Sequence, residues 1–209
     1  SAPLPAPPEG RAVSYIGFDC PQSLPAPGAA RRECDAAART ATAKIPDSRE
    51  ALETFAAYRG LIEVGIDIFW HCCEMRLADV YGLPRGGDGV GTEGGGKRPV
   101  IFETYPRYIV RRWLSRAAGR REAFMDRITH KNANPLRYVD YVWGALRELG
   151  YACPGVARPT VDQADAMLCA VAAQRLCLAG GRPLPNTVGT APYADAAARV
   201  LREGYIVCP

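Results

Sequence analysis

The chain has 209 residues, a mass of 22.6 kDa and a formal charge of +4. That length is about one domain, and 48% hydrophobic with 23% charged residues excludes a largely disordered polypeptide. Mean hydropathy is −0.13 and no run of about 18 uncharged apolar residues occurs, so neither a membrane span nor membrane association is expected.

Residues 1–12 are proline-rich and read as an extended arm, with no positively charged start followed by an apolar run of the kind a secretory signal has. A single domain is expected over 13–209. It opens on a β-prone run, Val13 to Phe18, that stops at Asp19 and three nearby prolines. Residues 29–44 are rich in Ala and Arg and predict a helix by propensity. Asp47 or Ser48 caps a long helical stretch from Arg49. There Leu52, Phe55, Leu61, Ile62, Ile66, Phe69 and Trp70 recur at helical spacing until Tyr81-Gly82.

Residues 82–98 are glycine-rich and almost devoid of apolar side chains, which predicts a surface loop. Val100 to Tyr105 is the second clear strand, stopped by Pro106, and a basic helix follows over about 107–118. Further helices are expected at 121–131, from Asn134-Pro135 to Leu149, and at 161–179, the last capped by Thr160 and ended by Gly180-Gly181. An Ala-rich helix at 193–203 and a strand at Tyr205 to Val207 close the chain. Strands separated by helices indicate an α/β class with helices in excess.

Four acidic residues stand out. Asp19 ends the first strand, Glu103 lies within the second, and Asp162 and Asp165 open an apolar helix three residues apart, on one face. A carboxylate in a buried strand is costly unless it is paired or bound to a cation. Converging carboxylates form a hard-oxygen site for Mg²⁺ or Mn²⁺, and two such ions about 4 Å apart activate water for phosphodiester hydrolysis. Each acid also has a purely structural use. Asp19 suits a turn cap, Glu103 an arginine pair, and Asp162 with Asp165 a helix N-terminus.

Charge is concentrated locally. Residues 106–131 hold seven arginines and one lysine against Glu122 and Asp126, a net of +6, which leaves about −2 for the rest of the chain. Arg107, Arg111, Arg112, Arg116 and Arg120 recur along this stretch with Tyr108 and Trp113 between them, a pattern suited to a phosphate backbone. The alternative is a solvated arginine-rich face in a chain that uses Arg far more than Lys. The eight cysteines include no CxxC pair, and several lie in apolar helical patterns, which predicts reduced, buried thiols and a cytoplasmic protein. His71-Cys72-Cys73-Glu74 reads as core packing, because neighbouring helix positions diverge by about 100°.

The order of short motifs resembles one family. Ile16-Gly17-Phe18-Asp19-Cys20-Pro21 with Leu24-Pro25 is similar to the "iGiDaPlgLP" segment of domain-of-unknown-function family 429, a family of predicted nucleases with an RNase H-like fold. Arg32, Asp35 and Arg39 resemble its R-x-x-D-x-x-x-R helix, and Phe102 to Pro106 its "fEvyP" strand. Asp162 to Ala170 resembles its "DalDAlvcAl" helix, and Glu203-Gly204-Tyr205-Ile206 with Pro209 its "EGwI..P" end.

The resemblance runs over about 13–209 and implies a mixed central sheet flanked by helices. It further implies metal-dependent nuclease chemistry, with Asp19, Glu103 and Asp165 catalytic and Asp162 a further metal ligand. The family's first strands, with their own acid, have no counterpart ahead of Asp19, so the RNase H-like domain reads as helix-rich and N-terminally incomplete. The partners expected are therefore nucleic acid, and another chain that completes the sheet or a second copy in a homo-oligomer. The alternative to a nuclease is a non-catalytic assembly protein whose open sheet edge another chain fills.

Overall fold

A computed structural model describes residues 14–40, 44–55, 58–84, 98–119, 134–151 and 157–209. The arm at 1–12, most of the glycine-rich loop, the helix expected at 121–131, Arg120 and Cys153 lie outside the described residues.

Four strands of the sheet run parallel. β1 (Tyr15–Phe18) pairs along its whole length with β3 (Val100–Glu103), Tyr15 opposite Val100 and Phe18 opposite Glu103. The other side of β3 is shared by β2 (Asp79–Val80), parallel at its start, and β7 (Tyr205–Ile206), parallel at Glu103. β4 (Val188–Gly189) adds antiparallel to β7, so the sheet is mixed. Among the described residues β1 is an edge strand with β3 as its one neighbour.

Alternation along the strands sorts two cores. Phe102 belongs to the larger one, formed with α6 (Pro135–Glu148) and α7 (Val161–Leu178), and Tyr15 packs against it. Ile101 belongs to the opposite one, with Phe69 of α3 (Arg59–Glu74), and Ile16 and Phe18 pack there. The domain is thus α/β, a mixed sheet with helices on both faces, as the sequence predicts. Gly17 permits the close approach of α7, since a Cβ there would lie 3.1 Å from the Cys169 carbonyl oxygen and 3.0 Å from the Phe102 ring. α7 begins with a capping box, Thr160 Oγ1 accepting from Gln163 N (3.2 Å) and Gln163 Oε1 accepting from Thr160 N (2.9 Å). Among the described residues no helix is long and apolar enough to cross a membrane.

Three predicted helices differ. The one expected at 29–44 is reduced to α1 (Glu33–Ala38), because Arg32 is extended and Arg39 is left-handed (φ 50°). Burying the Arg32 side chain dictates where that helix starts. The long helix from Arg49 is two helices, α2 (Arg49–Glu53), capped by Ser48 Oγ accepting from Ala51 N, and α3, separated by a left-handed Tyr58. Leu61, expected in the apolar stripe, is exposed. The Ala-rich segment 193–203 is a hairpin, β5 (Tyr193–Asp195) with β6 (Val200–Arg202). Burial of Val200 and Leu201 and the Asp195–Arg202 ion pair outweigh alanine's helix propensity there. The basic helix is present as α4 (Pro106–Ile109), a π-helical turn (Val110–Leu114) and α5 (Ser115–Ala117).

Candidate functional site: an acidic cleft beside an edge strand

A cleft of about 520 Å³ lies between β1 and α7, lined by Tyr15 to Asp19 on one wall and by Asp162, Asp165, Ala166, Cys169, Ala170 and Ala173 on the other. Its acids gather at the carboxyl end of β1, the end of an open parallel sheet where ligands usually bind. Asp19 and Asp162 are exposed, and Asp165 is 5% exposed, its Oδ1 accepting a hydrogen bond from the Tyr138 hydroxyl of α6. Burial and the nearby Asp165 and Asp19 carboxylates push the Tyr138 hydroxyl far above its ordinary range, so it is a fixed donor.

Asp19, Asp162 and Asp165 are therefore brought together, and Glu103 is not. β1 and β3 are in register with Phe18 opposite Glu103, so alternation sends Glu103 to the face of Ile101 and Phe18, away from the cleft. There Arg32 spends all five N–H donors on a buried cluster. Its two terminal nitrogens donate to both Glu103 oxygens (2.7 and 2.9 Å). Nε and one terminal nitrogen donate to both Asp35 oxygens (2.7 and 2.9 Å), and the last N–H goes to Ser23 Oγ (3.1 Å). Gln22 N also donates to Glu103 (3.0 Å), and Thr40 Oγ1 to Asp35 (2.7 Å). Arg32 and Asp35 are 0% exposed and Glu103 3%. Burial pushes the Glu103 carboxyl up and Arg32 draws it back down. This is the arginine-pair use of Glu103.

Hard-oxygen donors in the cleft have the right chemistry for Mg²⁺ or Mn²⁺. Among the described residues no group of three or more His, Cys, Asp or Glu side chains is placed to hold an ion. Glu103 and Asp35 are bound to Arg32, and Asp165 already accepts from Tyr138.

The expected phosphate-binding arginines are dispersed in role. Arg111 donates to the Ala38 carbonyl, Arg112 is exposed with its guanidinium 5.9 Å from the Tyr108 ring, Arg107 is half-buried and Arg116 exposed. The seven described cysteines are all free; Cys34, Cys169 and Cys208 are buried, and burial lifts the Cys20 thiol to about 12.

Two residues of these contacts carry little signal in the chain. For Arg32 the signal is the i, i+3 spacing to Asp35, which allows one guanidinium to face a helix's own acid. Tyr138 carries no local signal, because its bond to Asp165 joins two helices.

Comparison with family models, curated proteins and solved structures finds no match.

Proposed function

We propose that this chain is a strand-accepting assembly domain, in which the free edge of β1 is completed by an extended segment of another polypeptide. The observation that carries this reading is that, among the described residues, β1 pairs on one side alone, alongside an open cleft. Val100 N donates to Ser14 O (2.8 Å) and Thr104 N to Phe18 O (2.9 Å). In a parallel ladder, alternate residues serve one neighbour, so the peptide groups of Tyr15 and Gly17 face outward. An edge with outward peptide groups invites strand addition. Amide hydrogen exchange tests the reading. The Tyr15 and Gly17 amides exchange quickly in the chain alone and become protected when an extended peptide binds. A bound partner that leaves both unprotected refutes it.

A second reading is an RNase H-like, metal-dependent phosphodiester hydrolase or nucleic-acid binder, with Arg112 and Arg116 toward phosphate. What favours it is that Asp19, Asp162 and Asp165 line one cleft. Incubating DNA and RNA, single- and double-stranded, with Mg²⁺ or Mn²⁺ tests it. Cleavage lost in Asp19→Asn and Asp165→Asn supports this reading; cleavage that survives both removes the site.

A further inference from the structure

α3 carries a second apolar face beside the one it buries. Ile62, Gly65, Ile66 and Phe69 form the buried side. Leu61, Val64, Ile68, Cys72 and Met75 follow one another at steps of three and four, so they make one stripe about a third of a turn round the helix. Leu61 is 46% exposed, Val64 and Met75 are 57% exposed, and Ile68 and Cys72 are half-buried. The end of the helix lengthens the stripe. Arg76 is left-handed (φ 55°), Arg76 N donates to Cys73 O (3.1 Å) and Leu77 N to Cys72 O (2.9 Å), which turns exposed Leu77 back toward the last turn. Apolar residues exposed singly are ordinary, but a contiguous row marks an interaction surface.

The row suits another helix. Leu61, Val64, Ile68 and Met75 keep the a and d spacing of a helix–helix seam. About a two-fold axis at Ile68 the row also matches itself in the antiparallel sense. Leu61 then faces Met75 of a second copy, Val64 faces Cys72, and Ile68 faces Ile68. A two-fold interface has to be self-complementary in this way.

The charged rim selects the same occupant. Its acids are each paired within the chain: Glu63 with Arg59 (2.8 Å), Asp67 with Arg49 (2.8 Å) and Glu74 with Arg199 (2.9 Å). The rim thus holds as many arginines as carboxylates in these pairs and favours neither a basic nor an acidic partner. A second copy brings the same balanced set. Where the axis sets Asp67 beside its counterpart, two Arg49 guanidiniums lie with them.

We propose that the chain pairs with a second copy of itself through α3, as an antiparallel two-fold dimer centred on Ile68. The seam is short. The 16 residues of α3 run about 24 Å, and one helix pair of that length buries less than the about 800 Å² per partner of a standard interface. The dimer is therefore weak and concentration-dependent, with a Kd of about 10–100 µM. It does not rest on strand acceptance at β1.

Sedimentation equilibrium of the full chain over about 5–500 µM tests this, together with oxidative cross-linking of Ile68→Cys located by mass spectrometry. The expected result is a monomer–dimer equilibrium, weakened at least about tenfold by Val64→Glu and by Leu61→Glu, two exposed positions away from the core. Arg49→Glu weakens it too, by gathering four carboxylates at the axis, and Arg49→Glu with Asp67→Arg restores it. Ile68→Cys links to the same position of the second copy. A chain that stays monomeric over the whole range overturns the inference, even if its α3 captures a helix of another protein. A dimer that Val64→Glu and Leu61→Glu leave unchanged, or an Ile68→Cys that links only to other positions, overturns it as well. Amide exchange at Tyr15 and Gly17 reads strand acceptance separately from each of these outcomes.

Discussion

Replacing Arg32 by Met tests the buried ion cluster directly. Arg32 is 0% exposed, and its removal strands two carboxylates, Glu103 and Asp35, that together receive four of its five hydrogen bonds. Breaking a buried pair by deleting one partner costs about 3–5 kcal/mol, and two orphaned carboxylates place this change at the upper end. For a chain of this size 1 kcal/mol shifts Tm by about 2–4 °C, so the midpoint falls by about 10–15 °C. Glu103→Gln is milder, about 1–3 kcal/mol, because Arg32 keeps Asp35 as counter-ion.

The loss in Arg32→Met depends on pH in a defined direction. Burial raises the Glu103 carboxyl, and without the guanidinium nothing draws it back, so its folded pKa lies above the unfolded one. Its penalty is full above the folded value and fades as pH falls toward the unfolded value, about 4.3. Urea unfolding at pH 7.5 and pH 5 reads this out. A loss below about 1 kcal/mol at pH 7.5, or one that does not shrink at pH 5, refutes the view that the cluster's charge balance holds this part of the fold.

The remaining predictions use simpler readouts. Gly65→Ala destabilises by about 1–3 kcal/mol, because its Cβ would lie 2.3 Å from the Pro21 carbonyl and push α3 off the β1 loop. Gly144→Ala, with nothing within 4 Å, stabilises α6 by up to about 1 kcal/mol; equal thermal shifts for the two would contradict this packing. Thr160→Ala removes one half of the α7 capping box and lowers stability by about 1 kcal/mol in urea, whereas Thr160→Ser keeps it. Native alkylation at pH 8 followed by mass spectrometry labels exposed Cys177 quickly and Cys20 slowly, since burial and the Glu103 and Asp19 carboxylates lift the Cys20 thiol to about 12. Labelling of Cys34 or Cys169 at the Cys177 rate would show that the core opens there.

Much of the architecture was legible because it rests on local rules. β-branched and aromatic runs bounded by prolines mark β1 and β3, and a capping Thr160 with a trailing Gly180-Gly181 brackets α7. Pro135 opens α6 in the same local way. Where local preference was the only guide it failed. The Ala-rich 193–203 segment folds as a hairpin because Val200, Leu201 and Arg202 find burial and a partner there. The predicted 29–44 helix shrinks because Arg32 must reach a core.

The candidate site divides along the same line. That Asp19, Asp162 and Asp165 carry usable carboxylates at element ends could be read from the chain, since strand ends and helix starts are local features. Which acids meet could not. The β1–β3 register sets Glu103 opposite Phe18, and a period of two then sends it to the other face of the sheet, into the hands of Arg32. A one-residue slip would have put it on the cleft's side. Length, class and the positions of the acids were determined by the sequence. The parity that separates Glu103 from Asp19, and the edge position of β1 among the described residues, were decided by strand pairing alone, because register is a relation between residues 85 apart in the chain.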